Sequence, residues 1–339
     1  MVVNGLDEYI STKCLQCIKT RPLCGVPGVR YVVDGCSFTN HIIRQTSWVF
    51  GGQWKEIKHA TEKFVRGLLG EGCGCVFIMP HWADVLTPAD LQNIKMGLDF
   101  VATNKRLPSI DFYQTPPGAY FFVSQVVKAC GVEVICSVSD FEFEVAAWAK
   151  AKACTGIISD NNEFIALNGV TFYRLSSVDL DKHTIESVER HLLMKNLGLK
   201  THHLPVLSCM MGNSLIPPQL LQLFHRKLQA GMHSSKLNPV LDIMPRLCMY
   251  VRPQTTQYNM LARTALGDES QASFLQAIIS RYSLSQVTEA WKPASQASRV
   301  SSSQVLPNIT NTTIHFNDIQ FIAYKMRNIF MEFIFSFIN

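Results

Sequence analysis

The sequence predicts an α/β fold: a sheet domain with helices on both faces, followed by a mainly helical region. Short apolar runs with β-branched residues recur at residues 29–33, 75–79, 132–138 and 155–159, and 110–113 reads as another short strand. Helical patterns stand between them at residues 52–69, 120–130 and 145–153, and strands alternating with helices read as parallel crossover units. Past Tyr173 the apolar positions follow helical spacing instead.

The first strand, residues 29–33, ends at Asp34-Gly35. The helix at 52–69 presents Trp54, Ile57, Phe64, Val65 and Leu68, and the glycines at 72 and 74 turn the chain into the strand at 75–79. Gly131 closes the next helix in the manner of a left-handed cap. The strand at 132–138 runs into Asp140-Phe141-Glu142-Phe143-Glu144, then an alanine-rich helix, and the strand at 155–159 ends in Asp160-Asn161-Asn162-Glu163. Helices follow at 184–197, 204–211, 219–229, 239–251 and 271–282, the third opened by Pro217-Pro218, where a missing N–H costs nothing. The boundaries expected are an α/β domain at 1–175, a helical region at 176–282, a Ser-rich linker at 283–304 and an apolar tail at 305–339. Lys325, Arg327 and Glu332 interrupt the tail, leaving too little for a membrane span of roughly 20 residues.

The chain has 339 residues and 47% apolar composition, enough for a substantial core. Its N-terminal residues lack the basic and apolar segments of a secretory signal, so the 11 cysteines suit a reducing compartment, the nucleus or cytoplasm. Cys14 and Cys17 form one CxxC without a matching second pair, and read as buried thiols rather than a zinc site. The net charge of +5 is asymmetric: from Pro217 onward Lys and Arg number 11 against 6 acidic residues, while residues 1–216 balance. The surplus favours an anionic partner for the C-terminal part, or serves as an ordinary solvated surface.

Asp34, the Asp140–Glu144 cluster and Asp160 all stand just past strand ends, where an open parallel sheet places its ligand crevice. Gathered carboxylates suit hard cations such as Mg²⁺, and two-metal phosphoryl-transfer sites set several of them around ions roughly 4 Å apart. Equally, Asp140 can cap a helix whose positive end Glu142 and Glu144 complement.

Several motifs in order carry a resemblance: Met1 to Leu6, Val33-Asp34, Gly51-Gly52-Gln53-Trp54, Glu142 with Glu144, Asp160, and Leu204-Pro205 through Met211-Gly212-Asn213-Ser214. Together they resemble the XPG/flap-endonuclease (PIN-like) superfamily. Ser47 through Trp54 and Leu215 through His225 are similar to the family of the constitutive coactivator of PPAR-gamma and its PPAR-gamma-like relatives. The resemblance spans residues 1–282 and implies a PIN-like (XPG/FEN-type) α/β/α sheet domain followed by helices.

In active relatives acidic residues bind two metal ions that hydrolyse a phosphodiester. By that resemblance Asp34, Glu142, Glu144 and Asp160 fill ligand positions, a weak Mg²⁺ site at most. The departures point away from catalysis. The strand ends in Met79 where an aspartate is expected, Asn162 and Ser214 replace two further aspartates, and Val2 replaces a glycine. The segment corresponding to the arch over the active site balances Lys95, Lys105 and Arg106 against Asp84, Asp90 and Asp99, whereas phosphate gripping needs a basic surface.

Two functions follow. The first is a non-catalytic interaction scaffold needing no cofactor, for which the resemblance implies coactivation or RNA association and protein partners. The second is a structure-specific endonuclease using one metal ion at Asp34, Glu144 and Asp160. Losing charge-stabilising ligands from a phosphoryl-transfer site costs several kcal/mol of barrier and favours the first. RNA or DNA binding is expected through Arg226, Lys227, Lys236, Arg246 and Arg252 in the helical part. The four crevice carboxylates are expected to converge at one sheet edge, where without a bound ion their mutual repulsion should raise at least one carboxylate pKa.

Overall fold

The computed structural model describes residues 3–24, 28–45, 53–70, 72–81, 118–138, 140–213, 215–230, 239–253, 257–289 and 291–292, with isolated positions between 96 and 115. The described residues all belong to one compact unit within residues 1–297. The expected strand at 110–113 and the tail lie outside the described residues, as do Val2, Ser214, Lys236 and most of the arch segment.

Seven strands form one mixed sheet in the order β1-β7-β6-β5-β2-β3-β4. They are β1 Ile18–Pro22, β2 Arg30–Asp34, β3 Gly74–Met79, β4 Glu133–Cys136, β5 Gly156–Ser159, β6 Phe172–Arg174 and β7 Thr184–Val188. Strands β2 to β6 pair in parallel, Val32 lying opposite both Val76 and Ile157. β7 is antiparallel to β6 and to β1. The predicted α/β sheet is therefore present.

The helices are α1 Leu6–Lys13, α2 Gly35–Gln45, α3 Trp54–Gly70, α4 Ala119–Ala129, α5 Phe141–Ala151, α6 Arg190–Leu197, α7 His203–Met211, α8 Gln222–Gln229, α9 Pro239–Val251, α10 Tyr258–Ala265 and α11 Ala272–Arg281. Successive strand residues face opposite sides, and each side has its own core. Tyr31, Val33 and Phe77 pack with Phe38, Ile57, Phe64 and Val123 of α2, α3 and α4. Val32, Val76 and Ile157 pack with Ala147 of α5 and with Leu207, Leu247 and Leu275 of the C-terminal helices. The helical region thus shares a core with α5, which carries part of the acidic cluster.

The helix expected over 184–197 is instead β7 followed by α6. Ile185 and Val188 fit helical spacing, but the segment finds a backbone partner in β1, Ile18 opposite Val188, and sheet pairing overrides a short period signal. Inside the stretch expected as a linker, Leu284 and Val287 are buried and Trp291 stacks edge-on against Phe143. Cys14 and Cys17 are free, buried thiols as expected, whereas Cys24 and Cys73, with Cα atoms 5.9 Å apart, pair as a disulfide.

Sheet topology fixes the position of the crevice. From β2 the chain proceeds outward through β3 and β4, then returns to the other side of β2 for β5 and β6. The carboxyl ends of β2 and β5 therefore flank a topological switch point, where open α/β sheets form their ligand crevices.

Candidate functional site

Asp34 is the last residue of β2 and is 1% exposed. One oxygen accepts from the backbone N–H groups of Cys36 and Ser37 at 2.9 and 3.0 Å. The other accepts from the hydroxyls of Ser37 at 2.8 Å and Ser159 at 2.6 Å. Asp34 thus caps α2, which follows the strand without a loop. Gly35 permits that turn, since a Cβ there would stand 2.7 Å from the Ile78 carbonyl oxygen and 2.1 Å from Met79 Sδ. Burial pushes the Asp34 carboxyl up from its ordinary range, with the hydroxyl and amide donors opposing the shift.

Asp160 diverges from its neighbour Ser159. One of its oxygens accepts from Ser176 N at 2.8 Å, and the other lies 3.8 Å from His41 Nδ1. Burial holds the His41 imidazole below its ordinary range despite the nearby Asp160 charge. Glu144, buried in the first turn of α5, accepts from Val138 N at 3.3 Å.

The densest charge lies between α5 and the end of α11. Asp140 caps α5 by accepting from Phe143 N at 3.1 Å and is also paired with the Arg281 guanidinium. Arg281 Nη1 donates to Glu163 Oε1 at 2.9 Å, and its Nη2 stands 3.7 Å from Glu142 Oε2. One arginine from the C-terminal helical region thereby serves three carboxylates. Tyr282 completes the set: its hydroxyl donates to Glu163 Oε1 at 2.9 Å and accepts from Asn213 Nδ2 at 2.8 Å.

Glu163 is fully buried, in a short 3-10 helix Asn162–Ile165. Burial first, and the Glu163 charge second, push the Glu142 carboxyl up to about 7. Burial disfavours the charge on Arg281, but the hydrogen bond and charge of Asp140, then of Glu163, hold its pKa above the ordinary value. Among the described residues no group of three or more His, Cys, Asp or Glu side chains is placed to hold a metal ion together.

Residues 197–286 match the FAM120A-like domain. The constitutive coactivator of peroxisome proliferator-activated receptor gamma from Bos taurus is 26% identical over 247 residues, covering 67% of this chain and 35% of that protein. The Homo sapiens protein of the same name is 26% identical over 256 residues, covering 70% of this chain and 28% of its own length. This chain is similar to those coactivators. It spans about a third of their length. XPG/FEN-type nucleases are among the structural neighbours: human GEN1 in complex with Holliday junction DNA aligns with a TM-score of 0.47 and 11% identity, over 81% of this chain and 62% of that one. At that score the fold rests on the strand order and register given above.

Two of the residues expected to stand where the resemblance places aspartates have structural roles of their own. Met79 is buried in the core beside Gly35. Asn162 accepts from Val3 N at 2.6 Å and donates to Val3 O at 3.1 Å, holding the N-terminal segment against the sheet. An aspartate could make only the first of these bonds.

The expected nucleic-acid contacts separate in the same way. Arg226 and Lys227 are exposed on α8. Arg246 donates to the carbonyls of Leu228 and Ala230. Arg252 lies over Gly198, its Nη2 2.7 Å from the position a Cβ would take. Sequence reasoning named Asp34, Glu142, Glu144 and Asp160 but overlooked Glu163 and Arg281. Glu163 lies in the same acidic turn as Asp160 and was within reach of that reading. Arg281 carries no local signal, being 118 residues from Glu163.

Proposed function

We propose that this chain is a non-catalytic interaction module in which Arg281 takes the place that divalent cations hold in active nucleases. The ion-pair cluster of Arg281 with Asp140, Glu142 and Glu163 carries this reading. A two-metal site needs several carboxylate oxygens free to face the same ions. Here Asp34 is occupied by four donors from Cys36, Ser37 and Ser159, and Asp160 turns to Ser176 and His41. These donor sets do not fit a pair of Mg²⁺ ions, nor a single ion shared by Asp34, Glu144 and Asp160.

The names of the coactivator relatives support protein partners and a nuclear setting, with the cytoplasm as the other compartment. RNA or DNA association through Arg226, Lys227, Lys236, Arg246 and Arg252 is the second reading of that surface, and the intramolecular contacts of Arg246 and Arg252 disfavour it.

The test is cleavage of 5′-flap and branched DNA by the purified chain with Mg²⁺ or Mn²⁺. The expected result is product no greater than with the Asp34→Asn variant. Metal-dependent cleavage that Asp34→Asn abolishes would establish the nuclease reading instead.

A further inference from the structure

We infer that the outer face of α8 and the 3-10 turn before it form a docking surface for an acidic, amphipathic helical segment of a partner protein. The inference rests on the interaction-module reading and assigns its partner chemistry. The 3-10 helix Pro218–Leu221 and α8 bury Leu221 and Phe224 on one side. On the other side Leu220 is 60% and Leu223 71% exposed, with Leu215 also exposed nearby in sequence. Leu220 and Leu223, three residues apart, adjoin on that face, and contiguous exposed apolar side chains with a polar rim are the kind of surface that partners cover.

The charge beside them is of one sign. Arg226 and Lys227 follow Leu223 by one helical turn and are exposed, so they adjoin the leucines on the same outer face. The sequence has no aspartate or glutamate between Glu189 and Asp242. On the other flank of Arg226 a cleft of about 230 Å³ has an apolar floor of Met211, Ile243 and Leu247 and a polar edge of Gln222 and Gln229. His225, which also lines it, is fixed by a 2.7 Å hydrogen bond between Nε2 and the Met210 carbonyl. The surface thus offers an apolar ridge, two cations and a recess sized for a large side chain.

An acidic helix with an apolar stripe satisfies all three, its leucines on the ridge and its carboxylates on Arg226 and Lys227. A nucleic acid would meet the two cations but leave the leucines without an apolar partner. Phosphate recognition also draws on many cations spread along a backbone, and here Arg246 is engaged with the carbonyls of Leu228 and Ala230.

The test uses the full chain and fluorescence anisotropy. The probe is a synthetic helical peptide with leucines at i, i+3, i+4 and i+7 and glutamates on the remaining face. Controls are a scrambled peptide of the same composition, an oligouridylate RNA, and phosphatidylcholine vesicles containing phosphatidylserine. The ordered peptide should bind at least about tenfold more tightly than the scrambled one. Leu223→Ser, and separately Arg226→Gln with Lys227→Gln, should each lower that affinity about tenfold or more without changing the melting temperature. Equal binding of the two peptides, no effect of Leu223→Ser, or capture of RNA or vesicles in preference to the peptide would overturn the assignment. None of these outcomes bears on cleavage activity, so a failure here is distinguishable from a failure of the non-catalytic reading.

Discussion

The two halves of the acidic crevice solve the problem of buried carboxylates differently. At the end of β2, Asp34 is held by neutral donors close at hand: two backbone amides, Ser37 and the neighbouring strand's Ser159. At the start of α5 and after β5, Asp140, Glu142 and Glu163 depend on one arginine from the far end of the helical region. The first arrangement ties together only the sheet and α2. The second joins the sheet domain to α11, so losing it should loosen the attachment of the whole helical region.

Arg281→Gln should therefore have the largest effect. Removing one partner of a buried ion-pair set leaves uncompensated charge and costs about 3–5 kcal/mol, readable by urea denaturation. Adding Glu163→Gln to it should cost less than the two changes separately, because the second removes part of the charge that the first orphans. Fully additive losses would mean that the cluster does not act as a unit.

Asp34→Ala should follow, at about 2–4 kcal/mol, since it removes the cap of α2 and the carboxylate acceptor of the Ser37 and Ser159 hydroxyls. This loss should not depend on Arg281. Coupling between the two positions would erase the distinction between the halves.

Glu142 sharpens the contrast through pH. Its carboxyl, pushed up to about 7, keeps a proton that the unfolded chain releases at an ordinary carboxylate pKa. Its contribution is therefore complete below that ordinary pKa and is lost as pH rises through about 7. Glu142→Gln does not titrate, so it should gain on the parent by about 1–3 kcal/mol between about pH 5 and pH 8. A parent-to-variant difference that stays constant across that range would exclude the shift.

The smallest effect is expected at Asp160, which is partly exposed and bonded to Ser176 N. Asp160→Asn retains an acceptor for that amide and should change stability by less than about 1 kcal/mol in thermal melts.

The same contrast explains what the sequence could reveal. Asp34, Asp140 and Asp160 were legible because strand ends and acidic turns are local signals, and the capping of α5 by Asp140 is itself a local pattern. Strands β2 to β5 and helices α3, α4 and α5 were legible for the same reason, whereas α2 and β6 were not marked. β1 and β7 were not, since each is specified by pairing with the other across more than 160 residues, and Ile185 and Val188 suit a helix equally well. Arg281 was read only as one more cation in a basic C-terminal part. Its role depends on α11 packing beside α5, and no short-range pattern encodes that contact.

The central claim is that the crevice is neutralised by the protein's own arginine and not by a divalent ion. Its most direct test is the melting temperature of the parent chain and of Arg281→Gln across a Mg²⁺ titration into the millimolar range. A ligand bound only by the folded state raises stability in proportion to the logarithm of its concentration above Kd. The parent should shift by less than about 1 °C, whereas Arg281→Gln, with Asp140, Glu142 and Glu163 released, should be stabilised by Mg²⁺. A parent chain that Mg²⁺ stabilises by several degrees, with the shift lost in Asp34→Asn, would contradict the account.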